Sequence, residues 1–484
     1  MFFKVDTLPR KRLVLCSVGA ALLLISPLLA AQQPSVDPFT VATPLPPSSL
    51  EGPAFSADLK QLLDTFRWQS GQVMGETQAL TTLRDKIQHA LAQQPRILAQ
   101  RSRERESVLQ IDEVRAVRRP QVNAGFEYRN DLQRTEALPD RGSRVDAVVT
   151  LSQLLMDFGA SGERVRAADL SAEAAFWQSQ SSIEDEVLYA LNAYLDVARL
   201  TAQRQLAEHN LQQHQRIFED VSLRREAGAG SRADVLRAQS RLSDAESRLV
   251  SLEGELARAI NIYQEAFFTT PDTLALPQGG TLLSETSADQ LLHDALARNT
   301  ALRSQTLVSQ ASEAEAQATR NARLPRLSVA VEGRQYDVND FNESDNDVAL
   351  LFNMDYTPYS GGATSARISQ AVERQQQSLF EQQALRRELE REVRSAYTDT
   401  RTRRAELEAQ TATLAAEEEA LLAYRDQFAI GRSSINDLLD AQRDLFQAAL
   451  ELVNRRVRWE QSSFQQLAVT GQLLDVMEIH LERH

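Results

Sequence analysis

The sequence predicts a mainly α-helical chain with a small β part, laid out as two tandem repeats of helix, β-hairpin and long helical hairpin. Three observations carry this. A phrase is written twice: Gly228-x-x-Ser231-x-x-Asp234-x-Leu236-x-Ala238-Gln239 returns as Gly431-x-x-Ser434-x-x-Asp437-x-Leu439-x-Ala441-Gln442. Long-period self-similarity of this kind marks a duplicated architecture. Before each copy runs a stretch without proline or glycine, from Glu163 to Ala227 and from Ala363 to Ile430. Before each of those stretches lie two segments that alternate polar and apolar residues, the period of a half-buried strand. Further agreements fall in order along the halves: Ala193-Tyr194-x-Asp196 with Ala396-Tyr397-x-Asp399, Pro120 with Pro325, and Ala90-Leu91-Ala92 with Ala295-Leu296-Ala297.

The N-terminus has the pattern of a secretory signal. Lys4, Arg10, Lys11 and Arg12 precede an apolar run from Leu13 to Ile25, then Pro27 and the small pair Ala30-Ala31. The run is short for a membrane span. Cys16, the one cysteine, lies inside it and would leave with the peptide, which removes disulfide and thiol chemistry from the mature chain. A Pro- and Ser-rich stretch, Gln32 to Ser56, has too little periodic apolar content to pack, and a short helix is expected from Asp58 to Trp68.

The first repeat opens with a helix expected from Leu83 to Arg118, stopped by Pro120 because proline disfavours helical geometry in the residue before it. Val122, Ala124, Phe126 and Tyr128 then alternate with Gln121, Asn123, Gly125 and Glu127. After a polar loop, Asn130 to Ser143, the residues Val145, Ala147, Val149 and Leu151 alternate in turn. The second repeat matches, with Leu327, Val329 and Val331, an acidic loop from Asp337 to Asp345, then Val348, Leu350, Phe352, Met354 and Tyr356. The long uninterrupted runs follow, each on the order of 100 Å if helical throughout. Helices of that length need partners along them, normally in coiled-coil packing. The glycine phrases end them, and return helices are expected at Arg232 to Phe267 and Ser434 to Gly471.

The organisation expected is a signal peptide at 1–31, a leader with a short helix at 32–82, and a first repeat at 83–270. That repeat holds a β-hairpin at 120–155 and a helical hairpin at 160–268. A linker at 271–287 leads to a second repeat at 288–474, with a β-hairpin at 325–357 and a helical hairpin at 363–471, and 475–484 is a tail.

Composition excludes some functions. The chain of 484 residues carries a formal net charge of −14, the reverse of a nucleic-acid binder. His209 and His214 are five apart and lack metal-ligand spacing, so they are expected as exposed helix positions. Glu417-Glu418-Glu419 fits a solvated helix face. Gly228-Ala229-Gly230-Ser231 lacks the lysine and preceding strand of a phosphate loop. With no nucleophile, base and orienting group in a recognisable arrangement, the chain is expected to be neither an enzyme nor dependent on a cofactor or metal.

The strands leave two readings open. Alternating strands commonly form a soluble antiparallel sheet with one wet face. Their length of roughly ten residues also suits a tilted membrane crossing, but a spanning sheet must close, and the smallest membrane barrels have about eight strands. One chain offers four, so crossing requires several chains; three would pool ~12 strands.

The order of elements, with Gly431-x-x-Ser434-Ile435-x-Asp437-Leu438-Leu439-Asp440-Ala441-Gln442, its degenerate copy at Gly228–Gln239, and the hairpin-opening Pro120 and Pro325, resembles the TolC family of outer-membrane efflux and secretion ducts over Leu83 to Leu474. The resemblance implies a homotrimer, with a 12-stranded β-barrel in outer-membrane lipid continuous with a periplasmic α-helical coiled-coil barrel. It implies an exit duct opened through a periplasmic adaptor by an inner-membrane transporter of RND or ABC type. It places Asp437 and Asp440 at a periplasmic entrance constriction, and gives tip turns and gating contacts to Gly228, Ser231, Asp234, Phe428, Gly431, Arg432 and Ser434. Asp437 and Asp440 are also i, i+3 on one helix face, and acids in a first turn favour the helix dipole whatever a pore does. Carboxylates crowded on an axis would raise one another's pKa. Two departures from the family pattern stand out: Ser433 where a basic residue is expected, with Arg432 one step earlier, and Phe428, which has no hydroxyl. A rival function is a periplasmic coiled-coil adaptor with no channel; such proteins usually have one helical hairpin, and this chain has two.

Overall fold

The computed structural model describes residues 53–67, 78–130, 143–272, 274, 276–277, 283, 286–338 and 345–479. The expected signal peptide, most of the leader, the two hairpin loops in large part and the last residues of the tail lie outside these. The elements run α1 (Ala57–Phe66), α2 (Gln78–Gln93), α3 (Pro95–Ala116), β1 (Gln121–Asn130), β2 (Ser143–Met156), α4 (Ala160–Glu226) and α5 (Arg232–Phe267). They continue with α6 (Ala288–Arg298), α7 (Thr300–Asn321), β3 (Arg326–Gln335), β4 (Asn346–Asp355), α8 (Ala363–Ala429), α9 (Ile435–Val469) and α10 (Leu473–Val476).

The two uninterrupted runs are single helices of 67 residues each. Each begins behind a glycine in the left-handed region, Gly159 at φ 89° and Gly362 at φ 91°, where a residue with a Cβ would be strained. The single helix expected from Leu83 to Arg118 is two helices, α2 and α3. Pro95 occupies the first turn of α3 and holds Gln94 extended at ψ 115°, the restriction proline places on the residue before it. The second repeat breaks at the corresponding place without proline: Asn299 ends α6 and its side chain caps α7 by accepting from the Leu302 amide at 3.0 Å.

The four strands form one antiparallel sheet in the order β1-β2-β3-β4. Val122 lies opposite Leu151 and Leu151 opposite Val331, so the apolar residues of neighbouring strands share one face. That face is bare: Phe126 is 79% exposed, Val348 74% and Phe352 75%. The opposite face is polar, with Arg334 reaching Glu127 at 3.3 Å and Glu332 at 3.2 Å.

The helices continue the same order. Next to the sheet the neighbours run α3, α4, α7, α8, matching β1 to β4. Farther along, α4 and α8 exchange those partners for the return helices, and the row becomes α5, α4, α9, α8. The wall is therefore four helices wide at both levels, and the two repeats lie side by side, joined where α4 packs against α7 near the sheet and against α9 farther along. Its main core gathers Leu83, Ile87 and Ile97 around α4, α5 and α9, and Tyr194, Tyr263 and Phe267 form an aromatic cluster within it. On α8 the buried residues Thr400, Leu407, Leu414, Leu421 and Phe428 recur every seventh position, the spacing of a coiled-coil seam.

Two surface expectations are corrected. His214 is buried, on the side of α4 that packs into the wall, and its charge is disfavoured there: burial, then the nearby Arg241, pushes its pKa down to about 4. Glu418 is not simply solvated but accepts two hydrogen bonds from Arg67 beyond α1, at 3.1 and 3.2 Å.

Candidate functional site at the helical tips

Both duplicated phrases build the same turn. At the end of α4, Gly228 has φ 77° and the Ala229 amide donates to the Arg224 carbonyl at 2.8 Å. At the end of α8, Gly431 has φ 75° and the Arg432 amide donates to the Gln427 carbonyl, also at 2.8 Å. These bonds satisfy carbonyls that a helix end otherwise leaves unpaired. Each return helix then starts on a reciprocal cap. Ser231 accepts from the Asp234 amide at 3.1 Å while Asp234 accepts from the Ser231 amide at 3.2 Å. Ser434 and Asp437 repeat the exchange at 3.3 and 3.0 Å.

Asp437 is fully open to solvent, and the Ser434 hydroxyl and amide, with the Ser433 hydroxyl, hold its pKa below the usual aspartate value. The expected upward shift concerns carboxylates of several chains brought together, and within the single chain the capping bonds set the direction. Asp440 is half-buried and faces two arginines, Arg443 at 2.9 Å and Arg241 of α5 at 3.6 Å. Asp234 directs its hydrogen bonds to Ser231. The two return helices are joined instead by Arg237, bonded to Asn436, and by the Arg241–Asp440 pair. Phe428, without a hydroxyl, is buried under the Arg224 guanidinium, which lies 4.5 Å from its ring centre and pairs with Asp220 at 2.8 Å. The Arg432 backbone closes the turn, while its side chain is exposed.

Beneath the tip lies a buried polar layer that the sequence reading passed over. Arg425 of α8 donates to Gln213 of α4 at 3.2 Å and to Gln442 of α9 at 3.4 Å, and Gln442 donates to Asn210 at 3.3 Å. Burial pulls the Arg425 pKa down, reinforced by Arg216. The signal was available: Gln442 is a duplicated residue, with Gln239 as its counterpart. Gln239 is exposed on the edge helix α5, whereas Gln442 is buried because α9 is held between α4 and α8. The two copies of the phrase thus share a turn and differ in surroundings.

No helix among the described residues is long and apolar enough to cross a membrane. An outward apolar sheet leading into a wall of paired long helices defines an outer-membrane channel-tunnel protein. The profile of the family described as outer membrane efflux protein matches residues 86–262 and 291–472, and the chain belongs to that family. It is 25% identical over 328 residues to the outer membrane efflux protein BepC of Brucella suis, covering 67% of this chain and 72% of that one. It is 24% identical over 314 residues to the alkaline protease secretion protein AprF of Pseudomonas aeruginosa, covering 63% and 65%. Among solved structures it is similar to the outer membrane protein VceC of Vibrio cholerae, with a TM-score of 0.71 at 16% identity over 81% of this chain and 96% of that one.

Proposed function

We propose that the chain forms a passive homotrimeric exit duct in the outer membrane, serving a tripartite efflux pump or a type I secretion system. One observation carries this reading. The four-stranded sheet turns an apolar face outward and has no fifth strand beside β1 or β4 among the described residues. In lipid each unpaired edge group costs several kcal/mol, so the edges must be closed by other copies. Three copies joined edge to edge give ~12 strands, within the range of closed membrane barrels. Because the helices keep the strand order, closing the barrel also closes the helical wall beneath it. Energy for transport then comes from an inner-membrane transporter of RND or ABC type, coupled through a periplasmic adaptor at the helical tips.

In this assembly Asp437 and Asp440 narrow the periplasmic entrance. Acidic side chains around a narrow passage favour cations. The ion pairs of Asp440 with Arg443 and Arg241 and the buried Arg425 layer brace the tip in its closed form. Reconstitution in planar lipid bilayers tests both levels. The wild-type trimer gives small cation-selective openings; Asp437→Ala with Asp440→Ala gives larger conductance and weaker cation selectivity. Pores with unchanged conductance and selectivity in the double variant would remove the entrance from this place, and a purely soluble exported protein would defeat the duct.

A further inference from the structure

Just below the sheet, a groove of about 790 Å³ is lined by all four helices of the wall: α3 through Val114, α4 through Arg164, α7 through Glu315, and α8 through Arg367 and Arg374. The four helices stand in a row, α3-α4-α7-α8. A single depression that touches the two outer members of a row together with the two inner ones lies on the concave side of that row. On the convex side the outer helices diverge and share no groove. When the wall closes, the concave side is the inside of the tunnel.

The lining is unusual in its charge. Most of it is small or neutral, such as Ala167, Ala174 and Ser304, so the bottom of the groove is shallow and lets the backbone of a solute approach. Over it project three arginines, Arg164, Arg367 and Arg374, all exposed. None of them has an ion pair or hydrogen bond among the described residues, in a chain where most other arginines of these helices do: Arg115 pairs with Asp169 at 2.9 Å and Arg166 with Glu163 at 3.6 Å. The one acid in the lining is Glu315. An excess of positive charge over an apolar floor sits in a chain whose net charge is −14. Guanidinium groups present paired N–H donors to carboxylate, sulfonate or phosphate oxygens, and a confined passage with low-dielectric walls concentrates the field of like charges.

We propose that this groove is a binding station for organic anions, solutes with an anionic head and an apolar body, one per chain, in the upper tunnel. Its position inside a tunnel rests on the duct reading; the groove and its arginines do not. Cargo that has passed the acidic entrance would meet a second station of opposite sign, which draws anionic solutes forward towards the barrel and slows cations there.

Naphthalene-1,5-disulfonate serves as the probe, with equilibrium dialysis against the detergent-solubilised protein and current block in planar bilayers, added from the barrel side so that it reaches the groove without passing the entrance. The wild type is expected to bind it and to show concentration-dependent block. Arg164→Gln with Arg367→Gln and Arg374→Gln, all at exposed positions, is expected to raise the dissociation constant and the half-blocking concentration about ten-fold or more. Glu315→Gln is expected to lower both. Binding that depends on the arginines in a protein that forms no pores would uphold the station and defeat the duct. Pores with equal binding and equal block in wild type and triple variant, or equal block by a naphthyl trimethylammonium cation, would overturn the station and leave the duct standing.

Discussion

Glu184 shows how one side chain couples the halves. It sits on α4 within the wall, takes a hydrogen bond from the Thr300 hydroxyl at 2.7 Å, and so ties the first repeat to the start of α7. Burial, then the charges of Asp185 and Asp475, raise its pKa to about 7, against the pull of Thr300. A carboxyl whose pKa is higher folded than unfolded binds more protons in the folded state. Its protonated form is fully compatible with the fold below the unfolded value of 4.5, and stability falls as pH rises from there through about 7. Glu184→Gln therefore removes this loss: at pH 8 the variant is expected to be more stable than wild type by roughly 2–3 kcal/mol, with the gain vanishing near pH 4. Thermal melts across that range check it, and a gain that does not depend on pH would contradict the assignment. Neither Glu184 nor Arg425 stood out in the sequence, since charged residues fill every helix and a linear string does not say which of them a neighbouring helix covers. Asp437 and Asp440 did stand out, through the resemblance to the TolC family rather than through their spacing alone. Their individual surroundings, a cap for one and two arginines for the other, belong to the folded chain.

At the scale of elements, periodicity was enough for most of the architecture. The absence of proline and glycine marked α4 and α8, the alternation marked all four strands, and the glycine phrases marked the tips to within a residue or two. The break between α2 and α3 was missed although Pro95 was in plain view, because the apolar pattern runs on across it. The α6–α7 break has no proline at all and depends on the Asn299 cap. What holds the long helices is the seam. Leu414 of α8 is fully buried in the stripe that runs from Leu407 to Leu421. Leu414→Ala leaves a cavity in a close-packed seam and is expected to cost about 2–5 kcal/mol. The lower denaturant midpoint should come with faster proteolysis near the α8 tip, while Leu422→Ala, one residue past Leu421 and 40% exposed, changes little. Equal losses in both would mean that the seam is not the main source of helix stability.

For the whole molecule the decisive surface is the apolar side of the sheet. If lipid covers it, Phe352→Lys places a charge in the bilayer at a cost of about 2–4 kcal/mol near the midplane. Assembly into outer-membrane fractions should fall sharply, whereas Asn353→Lys on the polar face should assemble normally. A Phe352→Lys chain that assembles as well as wild type would place that face against protein instead.

The sequence by itself determined the local structure and its duplication: which stretches coil, which alternate, where they turn, and that the plan is repeated. These follow from backbone stereochemistry and the period of apolar residues, both local properties of a chain. Only the tertiary structure decided that α4 and α8 trade partners halfway along, that Gln442 is buried while its twin Gln239 is exposed, and that Arg164, Arg367 and Arg374 share one groove. Those depend on which helix lies beside which, and residues some two hundred positions apart in one string become neighbours only when the two repeats pack side by side. The twice-written phrase is the clearest case. Its letters specify the turn and the cap in both places, and the helices packed around each copy set the two apart.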